Sequence, residues 1–459
     1  MRVVICGAGQ VGFGIAERLS AEENDVSVID TSHELIQAIR DSVDVRGFIG
    51  HGAHPDVLSQ AGADQADMII AVTLYDEVNM IACQVAHSLF NVPTKIARIR
   101  SQSYLAPHWA DLFSSNHLPI DVIISPEVEV GELVLRRLEA PGAVDAVRFA
   151  DDEVVTIGID LAENCPVIDT PLAQLTELFP DLQAVVVGVL REGRLLFVPR
   201  SSDAMLVGDR VYVVCKVDQV RRTLGIFGHE EQEAHRVVIA GGGNIGLYVA
   251  EALEARGSRA KVKIIEASRD RAIEIADRLK RTVVLHGDAL DQELLQEADV
   301  QDADTLVSLT NDDEVNILAC VMAKRLGAAS NMALINNRSY PAFAGTLGID
   351  ATVSPRSVTI SKILQHVRRG RIRGVHTIEN GLAEVIEAEA LETSPLVGKA
   401  LRDLDLPDGI RIGAIYRGTN VIMPNGATEI AAKDRVIIFA VAERVRQVEQ
   451  MFRVSLEFF

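Results

Sequence analysis

The chain has 459 residues, of which 48% are hydrophobic, and its 45 basic and 65 acidic side chains give a formal net charge of −20. Such an acidic chain argues against nucleic acid or an anionic lipid surface as the main partner. No run of about 18 apolar residues predicts a membrane span. The five cysteines are widely spaced and lack a C-x-x-C pattern, which is typical of reduced thiols in a cytosolic protein.

Residues 1–140 alternate short apolar strands with helices. The first apolar run enters a turn made of Gly7, Ala8, Gly9, Gln10 and Val11, closed by a third glycine, and a helical pattern follows. The next strand ends at Asp30. Further strands are predicted near 43–49, 67–73, 94–99 and 119–124, with helices near 33–41, 54–61, 76–89 and 127–138. This alternation predicts a parallel sheet that is covered by helices on both faces.

The glycine turn has the G-x-G-x-x-G form between a strand and a helix, which is the context of a dinucleotide-binding fingerprint. The glycines allow a tight turn and let the backbone approach a diphosphate, while the helix N-terminus offers unpaired N–H groups. Asp30 follows Gly7 by 30 − 7 = 23 residues, close to the spacing of roughly 20 expected for the acid that binds the ribose hydroxyls. The pattern therefore predicts an adenine-nucleotide site.

The same pattern recurs at an offset of 241 − 7 = 234 residues. The second turn comprises Gly241, Gly242, Gly243, Asn244 and Ile245, and its acid is Glu266. The repeat extends further, since Asp76-Glu77-Val78-Asn79 matches Asp313-Glu314-Val315-Asn316. Two readings of the second copy stay open: a second nucleotide site, or a glycine turn that serves only helix–strand packing.

Strand-rich segments at 145–220 and 375–455 follow the two copies and predict small lobes built from hairpins. The predicted fold class is α/β, with two Rossmann-like doubly wound parallel-sheet domains, each followed by a small α+β lobe. The expected boundaries are 1–140 and 141–222 for the first half, 223–234 for a polar linker, and 235–372 and 373–459 for the second half.

The tandem turns, the segment from Asp76 to Ala86 and the run from Ile96 to Ser101 together resemble the Trk-type potassium uptake regulatory subunit, the TrkA family, over essentially the whole chain. The resemblance implies a cytoplasmic regulatory subunit, peripheral on the inner face of the cell membrane. It implies a homo-oligomeric ring, a tetramer, under an integral-membrane potassium translocating subunit. It also implies control of potassium flux by NAD(H), with ATP or ADP as alternative ligands at the same sites. The negative net charge predicts no nucleic-acid partner.

The resemblance also assigns site residues. The first site would comprise Gly7, Ala8, Gly9, Gln10 and Val11 at the diphosphate, Asp30 at the ribose, Thr73 and Leu74 beyond the fourth strand, and Arg98 on a phosphate. The second would comprise Gly241, Gly242, Gly243, Asn244, Ile245, Glu266 and Thr310. The second copy departs from the first in having Leu334 or Ile335 at the place of Arg98, with Arg338 further along as the other candidate cation. No catalytic residue and no metal site are predicted.

Several features of the sequence permit other interpretations. An NAD-dependent oxidoreductase is the alternative function, but neither small lobe carries an acid/base pair at a convincing spacing; a methyltransferase is weaker still. Asp76 and Glu77 start a helix, where they complement its dipole or contact ribose or a cation. His51 and His54 lack a third ligand for a metal. The basic run at 368–373 is either a solvated connector or an interface.

Overall fold

The structure is a computed structural model that describes residues 1–114, 116–140, 142–193, 195–229, 234–256, 260–337, 339–367 and 372–452. Arg338, residues 230–233 of the predicted linker and residues 368–371 of the basic run lie outside the described residues. Contacts divide the chain into two units, Met1–Val130 with Ser354–Val367, and Gly131–Val353 with Arg368–Phe459.

The first unit is built on a six-stranded parallel sheet with the order β3-β2-β1-β4-β5-β6. Its strands are β1 (Arg2–Cys6), β2 (Asp25–Asp30), β3 (Arg46–Ile49), β4 (Met68–Ala71), β5 (Thr94–Arg98) and β6 (Val122–Ile124). Its helices are α1 (Gln10–Ala21), α2 (His33–Ser42), α3 (Pro55–Gln60), α4 (Asp76–Phe90) and the start of α5 (Pro126–Glu139). The strand order reverses between β1 and β4, and doubly wound sheets bind ligands at this switch point.

The first small lobe belongs to the second unit and is an antiparallel sheet with the order β10-β9-β11-β8-β7. Its strands are β7 (Ala143–Phe149), β8 (Val154–Asp160), β9 (Ala184–Arg191), β10 (Leu195–Phe197) and β11 (Arg210–Lys216), with helices α6 (Leu172–Leu178) and α7 (Val220–Ile226). These strands occupy the strand-rich segment predicted at 145–220, with β7 beginning two residues before it.

The second parallel sheet repeats the order of the first, as β14-β13-β12-β15-β16-β17. Its strands are β12 (Arg236–Ala240), β13 (Lys261–Glu266), β14 (Val283–His286), β15 (Thr305–Ser308), β16 (Ser330–Leu334) and β17 (Ala351–Val353). The helices of this half are α8 (Asn244–Ala255), α9 (Arg269–Arg278), α10 (Gln292–Glu297), α11 (Asp313–Leu326), α12 (Pro341–Ala344) and α13 (Pro355–Val367).

The second small lobe is again antiparallel, with the order β18-β19-β22-β20-β21. Its elements are β18 (Ile372–Ile378), β19 (Ala383–Glu389), β20 (Ile410–Arg417), β21 (Asn420–Ile422), β22 (Arg435–Val441) and α14 (Val445–Met451). The predicted fold class is therefore confirmed: two doubly wound parallel sheets, each followed by a small lobe. Among the described helices, none combines the length and the apolar character that crossing a membrane requires.

A helix from each half of the sequence packs into the unit of the other half. In the first unit, α13 lies against α1, where a Cβ on Gly14 would come within 2.4 Å of Cδ1 of Ile360. In the second unit, α5 lies against α8, where a Cβ on Gly131 would come within 2.3 Å of the Tyr248 ring. The residue ranges predicted for the domains stay predictions. Each of them is continuous in sequence, whereas both units of the structure combine segments that are separate in sequence.

The two antiparallel sheets of the second unit pack face to face and share one hydrophobic cluster. Gly188 lies under the Phe439 ring. A Cβ on this glycine would come within 2.5 Å of Phe439 Cζ, so the two sheets approach closely at this point. Polar contacts also join them: the His376 imidazole Nε2 lies 2.6 Å from Asp145 Oδ2, and the Tyr212 hydroxyl donates to Glu379 at 2.6 Å.

Candidate functional sites

The first glycine turn joins β1 to α1 at the switch point of the first sheet. Gly7 has φ +112°, and a Cβ there would lie 3.0 Å from the backbone of Val72 and Thr73. A Cβ on Gly12 would lie 1.8 Å from the Gly7 carbonyl oxygen, so both positions require glycine. Gly9 is the N-cap of α1 and has no side chain to cap it. The first N–H groups of the helix therefore remain available to a ligand.

The remaining predicted turn residues follow the same geometry. Ala8 is buried, while Gly9 and Gln10 are exposed at the mouth of the turn and Val11 packs partly against the core. Asp30, at the end of β2, accepts the Ala8 N–H at 2.7 Å through Oδ2 and the Ser32 N–H at 2.9 Å through Oδ1. Two backbone donors thus orient the carboxylate beside the glycine turn, where a ribose hydroxyl could donate to its remaining lone pairs.

Across the switch point, one buried amide connects the ends of β4 and β5. Asn79 Oδ1 accepts the N–H and the hydroxyl of Thr73 at 2.8 and 2.7 Å. Its Nδ2 donates to the carbonyls of Thr73 and Arg98 at 3.2 and 2.9 Å. Asn79 therefore fixes the positions of two predicted site residues, and the sequence analysis did not assign it this role.

Arg98 is the cation that the sequence predicts for the first site. One guanidinium nitrogen, Nη2, donates to the Thr73 carbonyl at 2.6 Å, while Nε is buried and has no hydrogen-bond partner among the described residues. Burial lowers the pKa of Arg98, the Arg100 charge lowers it further, and Glu127 and Asp76 oppose the shift. An anion beside this guanidinium would offset the desolvation and use the spare N–H.

The segment from the end of β4 to the first turn of α4 contains three other residues singled out in the sequence. Leu74 is 74% exposed and contributes only an apolar surface at the rim. Asp76 is buried and accepts the Arg100 and Ser101 N–H groups at 2.8–3.1 Å, and Glu77 accepts the Tyr104 hydroxyl at 3.2 Å. These two carboxylates therefore hold the loop after β5.

The second turn repeats the first in detail. Gly241 has φ +103°, and a Cβ on Gly246 would lie 2.1 Å from the Gly241 carbonyl oxygen. Gly243 is the N-cap of α8, which begins with Asn244 and Ile245. Glu266 accepts the Gly242 N–H at 2.7 Å through Oε2 and the Ser268 N–H at 2.8 Å through Oε1.

The buried amide also recurs. Asn316 Oδ1 accepts the N–H and hydroxyl of Thr310 at 2.9 and 2.7 Å, and Nδ2 donates to the Leu334 carbonyl at 2.9 Å. Leu334 therefore occupies the place of Arg98, and its side chain is buried. On α9, however, Arg271 Nε donates to the Gly242 carbonyl at 2.9 Å, so this site has a cation that the sequence analysis missed.

The described residues of the first site fit an adenine nucleotide. Those of neither site fit a metal ion. Two glycine positions leave no room for a Cβ, the acid is oriented by backbone donors, and a buried guanidinium N–H lacks a partner. No group of three or more His, Cys, Asp or Glu side chains suited to a metal ion occurs within the described parts of the chain. His51 and His54 stack on each other with ring centroids 4.6 Å apart.

Family models match both halves of the chain. The TrkA-N domain matches residues 3–126 and 237–355, and the TrkA-C domain matches residues 157–228 and 385–453. Among curated proteins, the Trk system potassium uptake protein TrkA of Azorhizobium caulinodans is 61% identical over 459 residues, which is 100% of both chains. The protein of the same name from Halomonas elongata is 42% identical over 463 residues, again covering 100% of both.

Solved structures share the fold at low identity. The GsuK RCK domain aligns with a TM-score of 0.59 and 17% identity, covering 98% of this chain and 94% of that chain. A structure described as the GsuK channel bound to NAD aligns with a TM-score of 0.59 and 18% identity, covering 98% of this chain and 78% of that chain. At such identity the likeness concerns the fold alone.

Proposed function

The chain belongs to the TrkA family, and from that premise we propose that it is the cytoplasmic nucleotide-binding regulatory subunit of a Trk-type potassium uptake system. Membership of the family confirms the resemblance inferred from the tandem motifs. The curated relatives are named for potassium uptake and not for a catalysed reaction, which agrees with the prediction of a protein that is not an enzyme.

The observation that carries this proposal is the glycine turn held beside an oriented acid, present twice. The turn N–H is 2.7 Å from the carboxylate in both copies, at Ala8 with Asp30 and at Gly242 with Glu266. We expect NAD(H), with ATP or ADP as alternatives, to place the diphosphate at the N-terminus of α1 or α8 and the ribose on the acid. In the first site Arg98 would donate its spare N–H to a phosphate.

The partner in this proposal is an integral-membrane potassium translocating subunit. The chain would bind its inner face as a homotetrameric ring, peripheral to the membrane. Nucleotides would act by favouring one ring shape over another, because a ligand shifts an equilibrium only through its differential affinity for the two states. Moving a gate from 1:99 to 99:1 needs about 5.5 kcal/mol, which several sites contributing about 1–3 kcal/mol each could supply together.

The test is calorimetric titration of the full chain with NADH and with ATP, repeated on Gly9→Asp and Gly243→Asp variants. Apart from adjoining backbone, no atom of the described residues lies within 4 Å of the Cβ position of either glycine, so these substitutions place a carboxylate at the diphosphate without a steric clash. Loss of binding in Gly9→Asp alone would indicate that the second turn is structural. Partial loss in each variant would support two working sites.

Side-chain variants test the assignment within the first site. We expect Asp30→Ala and Arg98→Ala to weaken nucleotide binding by roughly 10- to 100-fold each, since hydrogen bonds to charged groups contribute about 1.5–3 kcal/mol. Arg46→Ala is the matched control: Arg46 begins β3 at the opposite edge of the sheet and pairs with Asp25 at 2.8 Å. Potassium flux through vesicles that hold the membrane subunit should change only in the first two variants. Unaltered affinity in both would refute the site.

A further inference from the structure

The two sites differ at two places that the repeat makes equivalent: the end of the fifth strand and the first turn of the helix after the acid. In the first site Arg98 stands at the end of β5, beyond Thr73. In the second site the equivalent residue is Leu334, because Asn79 and Asn316 each donate to the carbonyl at that position. The residue at the end of β16 is therefore an uncharged, buried leucine among the described residues, which do not include Arg338.

The cation of the second site comes from α9. Arg271 and Leu35 are equivalent, since each donates its N–H to the serine that caps its helix. Leu35 is exposed and uncharged in the first site. Arg271 instead reaches back to the glycine turn, where its Nε donates to the Gly242 carbonyl at 2.9 Å. The N–H of that same glycine is bound to Glu266, the acid expected at the ribose.

The charges around Arg271 indicate what it can recognise. Its Nη1 pairs with Glu274 at 2.8 Å, and the glycine whose carbonyl accepts its Nε–H gives its own N–H to Glu266. Two carboxylates therefore belong to the surroundings of one guanidinium. This balance disfavours an additional phosphate at the ribose. Hydrogen bonds to a guanidinium lie in its plane, so those made by Nε and Nη1 do not use its faces, and the side chain is 23% exposed.

We propose that Arg271 is the ligand-contacting cation of the second site and that its guanidinium stacks on the adenine ring. The inference rests on the proposed nucleotide-binding function and assigns the two sites different selectivity. The second site recognises the adenosine end of a nucleotide and gains little from a longer phosphate chain. The first site, through the spare N–H of Arg98, gains from each phosphate that reaches the end of β5.

The experiment uses full-length single-site proteins. Gly9→Asp leaves the second site and Gly243→Asp leaves the first, and each is titrated with AMP and with ATP. The ratio of ATP to AMP affinity should be about tenfold or more larger at the first site, because a charge-assisted hydrogen bond to phosphate contributes that much. Equal ratios at the two sites, or no binding of either nucleotide to Gly9→Asp, would overturn the inference.

Substitutions of Arg271 in the Gly9→Asp background test the stacking. Arg271→Gln should weaken AMP and ATP equally, by about three- to tenfold, as expected when a planar guanidinium stacked on the adenine is lost. Arg271→Lys keeps the charge but lacks the planar face, and it should not restore affinity. Arg269→Gln, on the same helix and exposed, is the control and should bind as the parent does.

The outcomes separate this inference from the function on which it rests. Rescue by Arg271→Lys, or a loss that grows with the number of phosphates, would make Arg271 a phosphate partner and refute the stacking. No effect of Arg271→Gln while the parent binds nucleotide would refute the inference alone. Failure of the unsubstituted chain to bind AMP, ATP and NADH would refute the proposed function. Unchanged first-site affinity in Arg271→Gln with Gly9 intact establishes that the variant is folded.

Discussion

Replacing the buried Asn79 by alanine should lower both the stability of the protein and the nucleotide affinity of the first site. The Asn79 side chain is fully buried and makes four hydrogen bonds, of 2.7–3.2 Å, that join the ends of β4 and β5. All four disappear in Asn79→Ala. We expect both a loss of stability and a loss of nucleotide affinity, because the bonded partners are Thr73 and Arg98.

The magnitude follows from the groups that lose a partner. The Thr73 carbonyl still accepts from Arg98 Nη2 at 2.6 Å, and the Thr73 hydroxyl can still donate to the Tyr75 carbonyl at 3.3 Å. The Thr73 N–H loses its acceptor, and the Arg98 carbonyl loses the donor that Asn79 provides. Each unsatisfied buried group costs about 1–3 kcal/mol, and both residues are half-buried, so the free energy of unfolding should fall by about 2–4 kcal/mol.

Denaturant unfolding and calorimetric titration together provide the assay. Ser88→Ala, at an exposed position on the same helix, is the control and should stay within about 0.5 kcal/mol of the parent. Asn316→Ala should lower stability similarly, since its amide makes the same bonds at the second site, and leave first-site affinity unchanged. If Asn79→Ala lost less than about 0.5 kcal/mol, the claim that this amide holds the strand ends would be wrong.

Two further perturbations follow from the structure. Gly12→Ala should disrupt the first turn, because its Cβ would lie 1.8 Å from the Gly7 carbonyl oxygen. A Cβ on Gly9 has only adjoining backbone within 4 Å among the described residues, so Gly9→Ala should fold as the parent does. Denaturant unfolding compares the two variants. The pKa of Asp145 is raised by burial, but the His376 imidazole and other donors outweigh this and bring it to about 2. Because the pKa is lower in the folded state, this carboxylate contributes its full stabilisation above the unfolded pKa of about 4 and loses it as the pH falls toward 2. The parent should therefore exceed Asp145→Asn in free energy of unfolding by about 2 kcal/mol above pH 4, and by less as the pH falls toward 2. A difference between the two that does not change with pH would contradict the assignment.

The sequence predicted the turn and its acid because both depend on local chemistry. A glycine with positive φ, a helix beginning three residues later and an acid at the next strand end are separated by a fixed length of chain. Gly7 and Asp30 are therefore placed by the βαβ unit itself, and the Ala8 N–H to Asp30 Oδ2 bond of 2.7 Å is a consequence of that unit. The nucleotide-binding role of these residues remains a prediction.

The contributions of Asn79 and Arg271 could not be predicted in the same way. Asn79 acts on a carbonyl 19 residues away, and that distance is set by the pairing of β4 with β5. A signal was present, since an asparagine occupies the same place in the first turn of α4 and α11. Arg271 depends on the rotation of α9 about its axis, which brings its side chain to the Gly242 carbonyl, and its equivalent in the first copy is not charged.

The exchange of α5 and α13 could not be predicted from local sequence patterns, because it depends on contacts between distant residues. Comparing equivalent positions of the two repeats nevertheless explains its steric basis. Gly14 and Tyr248 are equivalent at an offset of 248 − 14 = 234 residues, and Gly131 and Ile360 at 360 − 131 = 229 residues. In the observed packing each contact joins a glycine to a large side chain, Gly14 to Ile360 and Gly131 to Tyr248.

If each helix packed on its own half, Ile360 would meet Tyr248 and Gly131 would meet Gly14. The first pair would overfill the contact, which costs about 1–3 kcal/mol, and the second would leave a void, which costs about 2–5 kcal/mol when a large side chain is missing. The exchanged arrangement avoids both penalties. Arg256 adds to the preference, because it pairs with Glu132 of α5 at 3.0 Å. Complementary size at two repeated positions therefore favours the arrangement in which the two halves of the chain complete each other.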